Sequence, residues 1–243
     1  MTPTRIGAVS MITLTVFPPL FGETSASSFS TKAIYLMTMA GVPWARENSS
    51  DPRKWPKGKL PAITVDGQVI GDSDGIRAYL EAQGADFDKG LSDLEKSTSR
   101  GLIRMAEDHL YYHVMLDRWA DDAVWPTIRD AYFADIPKPL RVLITRGLRR
   151  NVMKGMHVQG LGRLSPQERL PRANQDLEAI TTRLWEGPFL FGEQPTLADA
   201  CVAPVLGGLR STPVGTLLSK RVSEDAILGA YIDRVDEALG QKS

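Results

Sequence analysis

The chain has 243 residues, 42% of them hydrophobic and 24% charged, enough for one large domain or two modest ones around a substantial core. Its 29 basic residues balance its 29 acidic ones, so no global field draws it to nucleic acid or to a membrane surface. No apolar run approaches the ~20 residues of a membrane span, the start MTPTRIGAVSM lacks a secretory signal, and a single cysteine with three histidines offers neither an intrachain disulfide nor a metal cluster.

Ile12 to Phe17 alternates branched apolar residues with Thr and reads as a strand, stopped by Pro18-Pro19, which cannot donate to a ladder. A small polar loop follows. Phe29 to Ala40 places Ala33, Leu36, Met37 and Ala40 at helical spacing, with Gly41 as its stop. Val42 to Asn48 reads as a second strand, and Asp51 to Lys59 as a loop or irregular turn. Ala62–Val65 and Gln68–Gly71 form a hairpin about Asp66-Gly67. Ser73 to Ala82 is a helix with Ser73 as N-cap and Asp74 in its first turn.

Gly84 to Asp93 is polar and glycine-bearing, a linker. The expected organisation is 11–83 for the first unit, 84–95 for the linker and 96–243 for the second. Beyond the linker the period becomes 3.6. Leu102, Ala106, Leu110 and Val114 mark one long helix. Leu140, Leu143, Ile144, Leu148 and Val152 mark another, and the cations Arg146, Arg149, Arg150 and Lys154 on it read as a solvated face. Ser165-Pro166-Gln167-Glu168 is a capping box with Pro at N1, opening a helix through Leu170, Ala173, Leu177, Ile180 and Leu184. Thr196 to Asp199 repeats the device before ACVAPVLGGL, which is apolar all round and so central; Cys201 within it reads as an inert core residue. Ser223 to Leu239 is a last amphipathic helix. The fold class is α/β for the first unit, followed by an all-α helical bundle.

The segment GKLPAITVDGQVIGDS, Gly58 to Ser73, carries the ligand chemistry. A cis bond before Pro61 would turn the backbone of Leu60 outward, so that its N–H and C=O could pair with an extended peptide. Ser73 at a helix start suits a carboxylate, because orphan N–H groups and the helix dipole favour negative charge. Asp72 could accept from a ligand ammonium. Taken alone, Asp72-Ser73 is equally a helix cap after a hairpin.

Leu60-Pro61 with Asp72-Ser73, and GEQPTLADA from Gly192 to Ala200, together resemble the glutathione transferases over Ile12 to Leu239. SSFSTK, HLYYHVMLDRW and the LSPQE, DLEAI and FLFGEQPTLADA segments are most similar to the metaxin-related, failed-axon-connections-like branch. The resemblance implies a thioredoxin-like domain that binds glutathione, a helical domain, a cytoplasmic homodimer, and a small hydrophobic electrophile as partner; glutathione is a co-substrate, with no metal. It places glutathione along Leu60, Pro61, Asp72 and Ser73, with Lys59 or Lys57 near its glycine carboxylate. It also asks for a group after the first strand that stabilises a thiolate: lowering a thiol from ~8.5 by about two units takes roughly 2.7 kcal/mol. Ser27-Ser28-Phe29-Ser30 stands where relatives carry a Cys- or Ser-Pro-Phe step, which gives Ser27 the catalytic place with Ser30 and Ser25 behind it; Ser28 replaces the proline. The electrophile pocket is expected from Leu20, Phe21, Tyr112, His113, Trp119 and Trp125. On that helix His113 is also spaced to pair with Asp117, and Arg118 with Asp117 or Asp121. A non-catalytic binding module, or a glutathione-dependent lyase or isomerase, would share the same first site.

Overall fold

A computed structural model describes residues 11–240. Four strands, β1 (Ile12–Val16), β2 (Trp44–Asn48), β3 (Ala62–Val65) and β4 (Gln68–Gly71), form one sheet in the order β2-β1-β3-β4. β1 runs parallel to β2 and antiparallel to β3, with Thr15 opposite Ala62. The hairpin between β3 and β4 turns on Asp66 at φ 49° and Gly67 at φ 75°, the paired left-handed residues of a two-residue loop. Helix α1 (Ser28–Ala40) ends at Gly41, φ 63°, whose N–H bonds the Thr38 carbonyl. Between β2 and β3 the chain makes two short 3₁₀ turns at Pro52–Lys54 and Pro56–Gly58.

Helix α2 (Ser73–Ala82) is capped one residue earlier than expected. Asp72, at φ 79°, is the N-cap, and its side chain accepts from the Asp74 N–H at 3.3 Å. Ser73 is thus the first helical residue and only 3% exposed. Residues Asp93 to Glu95 already belong to helix α3 (Asp93–Met105), opened by a Ser92/Glu95 capping box.

α3 continues through a π-helical turn at Ala106–Leu110 into α4 (Tyr111–Trp119), so the long helix is continuous but changes phase midway. A short helix α5 (Trp125–Tyr132), not anticipated from sequence, leads to α6 (Lys138–Gln159). The remaining helices are α7 (Pro166–Arg183), α8 (Leu197–Arg210), α9 (Leu217–Ser223) and α10 (Ala226–Leu239). The last helix therefore starts at Ala226, not at Ser223, because the Asp225 side chain accepts from the N–H groups of Ile227 and Leu228 and caps it there.

α8 is buried along its length from Leu197 to Leu209. Its start is fixed by Asp199, which accepts from Thr196 N and Oγ1, Leu190 N and the Tyr231 hydroxyl at 2.8–3.0 Å. One apolar core runs from the sheet through α1 (Ile34, Leu36, Met37) to α8 (Val202, Val205, Leu206) and α10. A buried polar link accompanies it: Lys32 of α1 donates to Asp74 at 2.8 Å and to Glu107 of the π turn at 2.6 Å.

Most of the apolar stripe of α6 is outward, with Val152 packed against the clusters around Trp119 and Leu116. Leu140, Leu143, Ile144 and Leu148 are exposed, while Arg141, Thr145 and Met156 face inward. Arg141 anchors the helix through the carbonyls of Asp130, Ala134 and Ile136. Apolar spacing marks one face of a helix but does not say which side holds a neighbour.

Candidate functional site

The carboxyl ends of the parallel strands β1 and β2 converge with the start of α1, the place where open α/β sheets present ligand sites. Beside them lies the entry to β3. The Leu60-Pro61 bond is cis, and neither the N–H nor the C=O of Leu60 has a partner among the described residues. The Pro61 carbonyl is taken by the Asp72 N–H at 3.1 Å, which draws the edge of β3 against the start of α2. Asp72 also accepts from Lys57 Nζ at 3.0 Å. Both residues hold left-handed backbone, Lys57 at φ 59° and Asp72 at φ 79°. Such conformations cost of order 1–3 kcal/mol each and concentrate at ligand clamps. Lys59 is exposed and stands on the same approach.

The serines separate by role. Ser27 caps α1, accepting from Ser30 N at 3.4 Å. Ser25 is 3% exposed and its hydroxyl donates to the Phe17 carbonyl at 2.8 Å. Ser30 is fully buried, its hydroxyl facing the Phe17 N–H at 3.5 Å. Ser25 and Ser30 therefore hold the loop and strand end in place. Ser27 and Ser28 instead line a cavity of about 330 Å³ between the sheet unit and the bundle.

The other walls of that cavity include Phe17, Pro18 and Leu20, Tyr111, Val114, Met115, Arg118 and Trp119 on α4, Tyr132 and Phe133 at the end of α5, and Leu148 of α6. Of the expected pocket residues, Leu20 and Trp119 line it. Phe21 packs behind Tyr132, ring centroids 6.4 Å apart. Tyr112 packs with Leu116, Met156 and Leu161 instead. Trp125 stacks on Trp119 and faces a separate cleft with Arg146 and Arg150.

His113 lies apart from the cavity, 1% exposed beside the His109 ring. Burial, then the neighbouring His109 and Arg169, pushes its pKa down to about 3, so the ring is neutral. It does not pair with Asp117; its Nε2 has no partner, and Asp117 accepts instead from Thr216. Nor does Arg118 pair with an acid. It donates to the Tyr132 hydroxyl at 2.6 Å, the Gly208 carbonyl at 2.8 Å and the Ser211 hydroxyl at 3.0 Å. Burial raises the Glu23 carboxyl behind it, outweighing the nearby Arg210 and Arg118 charges.

Two sequence profiles match the chain. That of the glutathione S-transferase N-terminal domain covers residues 28–124, and that of the C-terminal domain covers 167–239. The chain belongs to the glutathione S-transferase superfamily. It is 28% identical over 233 residues to an isoprene-epoxide glutathione S-transferase of Rhodococcus sp. (strain AD45), covering 93% of this chain and 98% of that one. It is also 27% identical over 184 residues to human metaxin-2, covering 75% and 70%, so the metaxin-like branch of the superfamily is among its relatives. A solved glutathione transferase from Phanerochaete chrysosporium shares the fold, at a TM-score of 0.62 and 15% identity over 97% of this chain and 99% of that one. In this superfamily member no helix among the described residues is long and apolar enough to cross a membrane.

The pocket residues that sequence reasoning missed, Ser28, Tyr132 and Phe133 above all, have no local signature. Tyr132 and Phe133 reach the cavity only because α5 folds back over α4.

Proposed function

We propose that the chain is a glutathione-dependent transferase that adds the glutathione thiolate to a small hydrophobic electrophile. The observation that carries this reading is the convergence at one sheet end of three features: the unpaired backbone of Leu60, the Asp72-Ser73 helix start, and a serine-lined apolar cavity. The peptide of glutathione would lie along Leu60 as an added strand. One of its carboxylates would sit at Ser73 and the first N–H groups of α2, and Lys59 would face the other. Lys57 acts through Asp72, to which it is already bonded. The Ser27 hydroxyl accepts from Ser30 N, which leaves its own proton free to donate to sulfur at the mouth of the cavity. Ser28 is the second hydroxyl on the same wall. The similarity to an isoprene-epoxide transferase supports turnover, and we take the working form as a cytoplasmic homodimer.

A test is conjugation of glutathione with a panel of electrophiles by wild type and Ser27→Ala. Loss of one donor to the developing anion should lower turnover by ~10- to 1000-fold. Unchanged turnover would remove Ser27 from the mechanism and leave Ser28 or a backbone N–H in its place.

The similarity to metaxin-2, together with Ser28 at the usual proline position, favours a second reading, a non-catalytic binding module. That reading predicts neither glutathione affinity nor conjugation, and partner capture in their place.

A further inference from the structure

Arg118 is 5% exposed. No carboxylate lies within ion-pair distance of its guanidinium among the described residues, and its Nε has no partner. A buried cation with no ion pair in direct contact is costly, even with the charge of Glu23 nearby and the Phe21 ring against it. It is understandable where negative charge develops nearby during a reaction. Arg118 lines the cavity, and its shortest hydrogen bond, 2.6 Å, goes to the hydroxyl of Tyr132, which lines the same cavity. That hydroxyl is half of a relay. Its oxygen accepts from the guanidinium, and its own proton has only a long contact, 3.4 Å, to the Ala26 carbonyl. Ala26 directly precedes Ser27, so the phenol proton and the Ser27 hydroxyl stand on adjacent stretches of one wall. A donor hydrogen-bonded to a cation is itself a stronger donor, because the two bonds polarise one another.

We propose that Tyr132, backed by Arg118, donates a hydrogen bond and then its proton to an oxygen atom of the electrophile, and that the co-substrate is a small apolar molecule whose oxygen becomes anionic as sulfur attacks, an epoxide being the simplest member. This rests on the glutathione-transferase reading above. In the step, the thiolate sulfur forms a C–S bond to a ring carbon and the C–O bond of that carbon breaks. The electron pair goes to oxygen, which takes the Tyr132 proton. The phenolate left behind is held by Arg118 and is reprotonated from water, and the product is a hydroxyalkyl thioether. Tyr132 touches the reacting oxygen and is the catalytic residue; Arg118 acts through it as a positioning residue.

The test compares two electrophiles with glutathione, in wild type and Tyr132→Phe. Styrene oxide needs a proton at its leaving oxygen. Iodomethane does not, since iodide leaves with its electron pair unaided. Tyr132→Phe keeps the ring and its packing, and an unchanged melting temperature verifies this. The expected result is a fall of about 100-fold in kcat/KM for styrene oxide, with a loss for iodomethane at least about tenfold smaller. Equal loss with both electrophiles, or no loss with styrene oxide, overturns the role of Tyr132 while leaving the transferase reading intact. Turnover of neither electrophile by the wild type overturns both.

Discussion

Replacing Lys32 with Met should show how much the buried polar link between the two units contributes. The Lys32 side chain is 1% exposed, and Glu107 opposite it is 6% exposed. Without the ammonium, the Glu107 carboxylate is left in the core without its principal partner, a change that typically costs about 3–5 kcal/mol. Asp74, at 38% exposed, retains water and adds little, about 0–1 kcal/mol. Arg104 lies 4.0 Å from Glu107 on the outside and can move in, which places the expected loss near the low end, about 3 kcal/mol. For a chain of this size that corresponds to a melting temperature lower by roughly 6–12 °C, readable by calorimetry or by circular dichroism. Lys32→Met with Glu107→Leu removes both charges, and the pair should recover to within about 1–2 kcal/mol of wild type. The coupling between the two sites should then exceed about 2 kcal/mol. A shift below ~2 °C for Lys32→Met alone, or a double variant as unstable as the two single losses summed, would refute the reasoning.

His113 should give the folded state a pH dependence. Its pKa is pushed down to about 3 by burial, with His109 and Arg169 adding to it, so between the ordinary value of ~6.5 and ~3 the unfolded chain binds a proton that the folded one does not. Stability is then lost as pH falls through that window, by up to ~1.4 kcal/mol per unit. His113→Leu should remove roughly 2–3 kcal/mol of the loss between pH 7.5 and 4.5 in urea unfolding, and parallel wild-type and variant curves would contradict the assignment. Asp199→Ala strands two backbone N–H groups and the Tyr231 hydroxyl, all inside the core. At about 1–3 kcal/mol per stranded group, partly relieved by relaxation, it should lower stability by about 3–5 kcal/mol in the same assay, and a loss under about 1 kcal/mol would show that Asp199 does not fix the start of α8.

Features set by local chemistry were readable from the residues. Asp66-Gly67 specifies the hairpin, Gly41 the end of α1, and Ser165 and Thr196 with their acidic partners the starts of α7 and α8. The nearness of Leu60-Pro61 to Asp72-Ser73 follows from the same hairpin, which pairs Ala62 with Gly71. The cap of α2 was displaced by one residue because Asp72 and Ser73 are both good caps, and the Asp72 N–H bond to Pro61 decides between them. The cavity wall was less legible for a geometric reason. The π turn at Ala106–Leu110 adds one residue to the helical repeat, which rotates everything after it by about 100°. Tyr111, Val114, Met115 and Arg118 then face the cavity, and Tyr112 and His113 face away from it. No periodicity before the turn reports this. On α6 the leucine spacing marks a helix but not its inward face, which is held by Arg141 hydrogen bonds and by Val152 and Met156.

Glutathione at the edge between Leu60 and Ser73 is the central requirement of the proposed function. Calorimetric titration of the protein with glutathione, in wild type and Ser73→Ala, addresses that claim without requiring any electrophile. Saturable one-site binding by the wild type, weakened by about 10-fold or more in Ser73→Ala through loss of roughly 1.5–3 kcal/mol of hydrogen bonding to a carboxylate, is the predicted result. No heat of binding with either protein, or equal affinity for both, would contradict it.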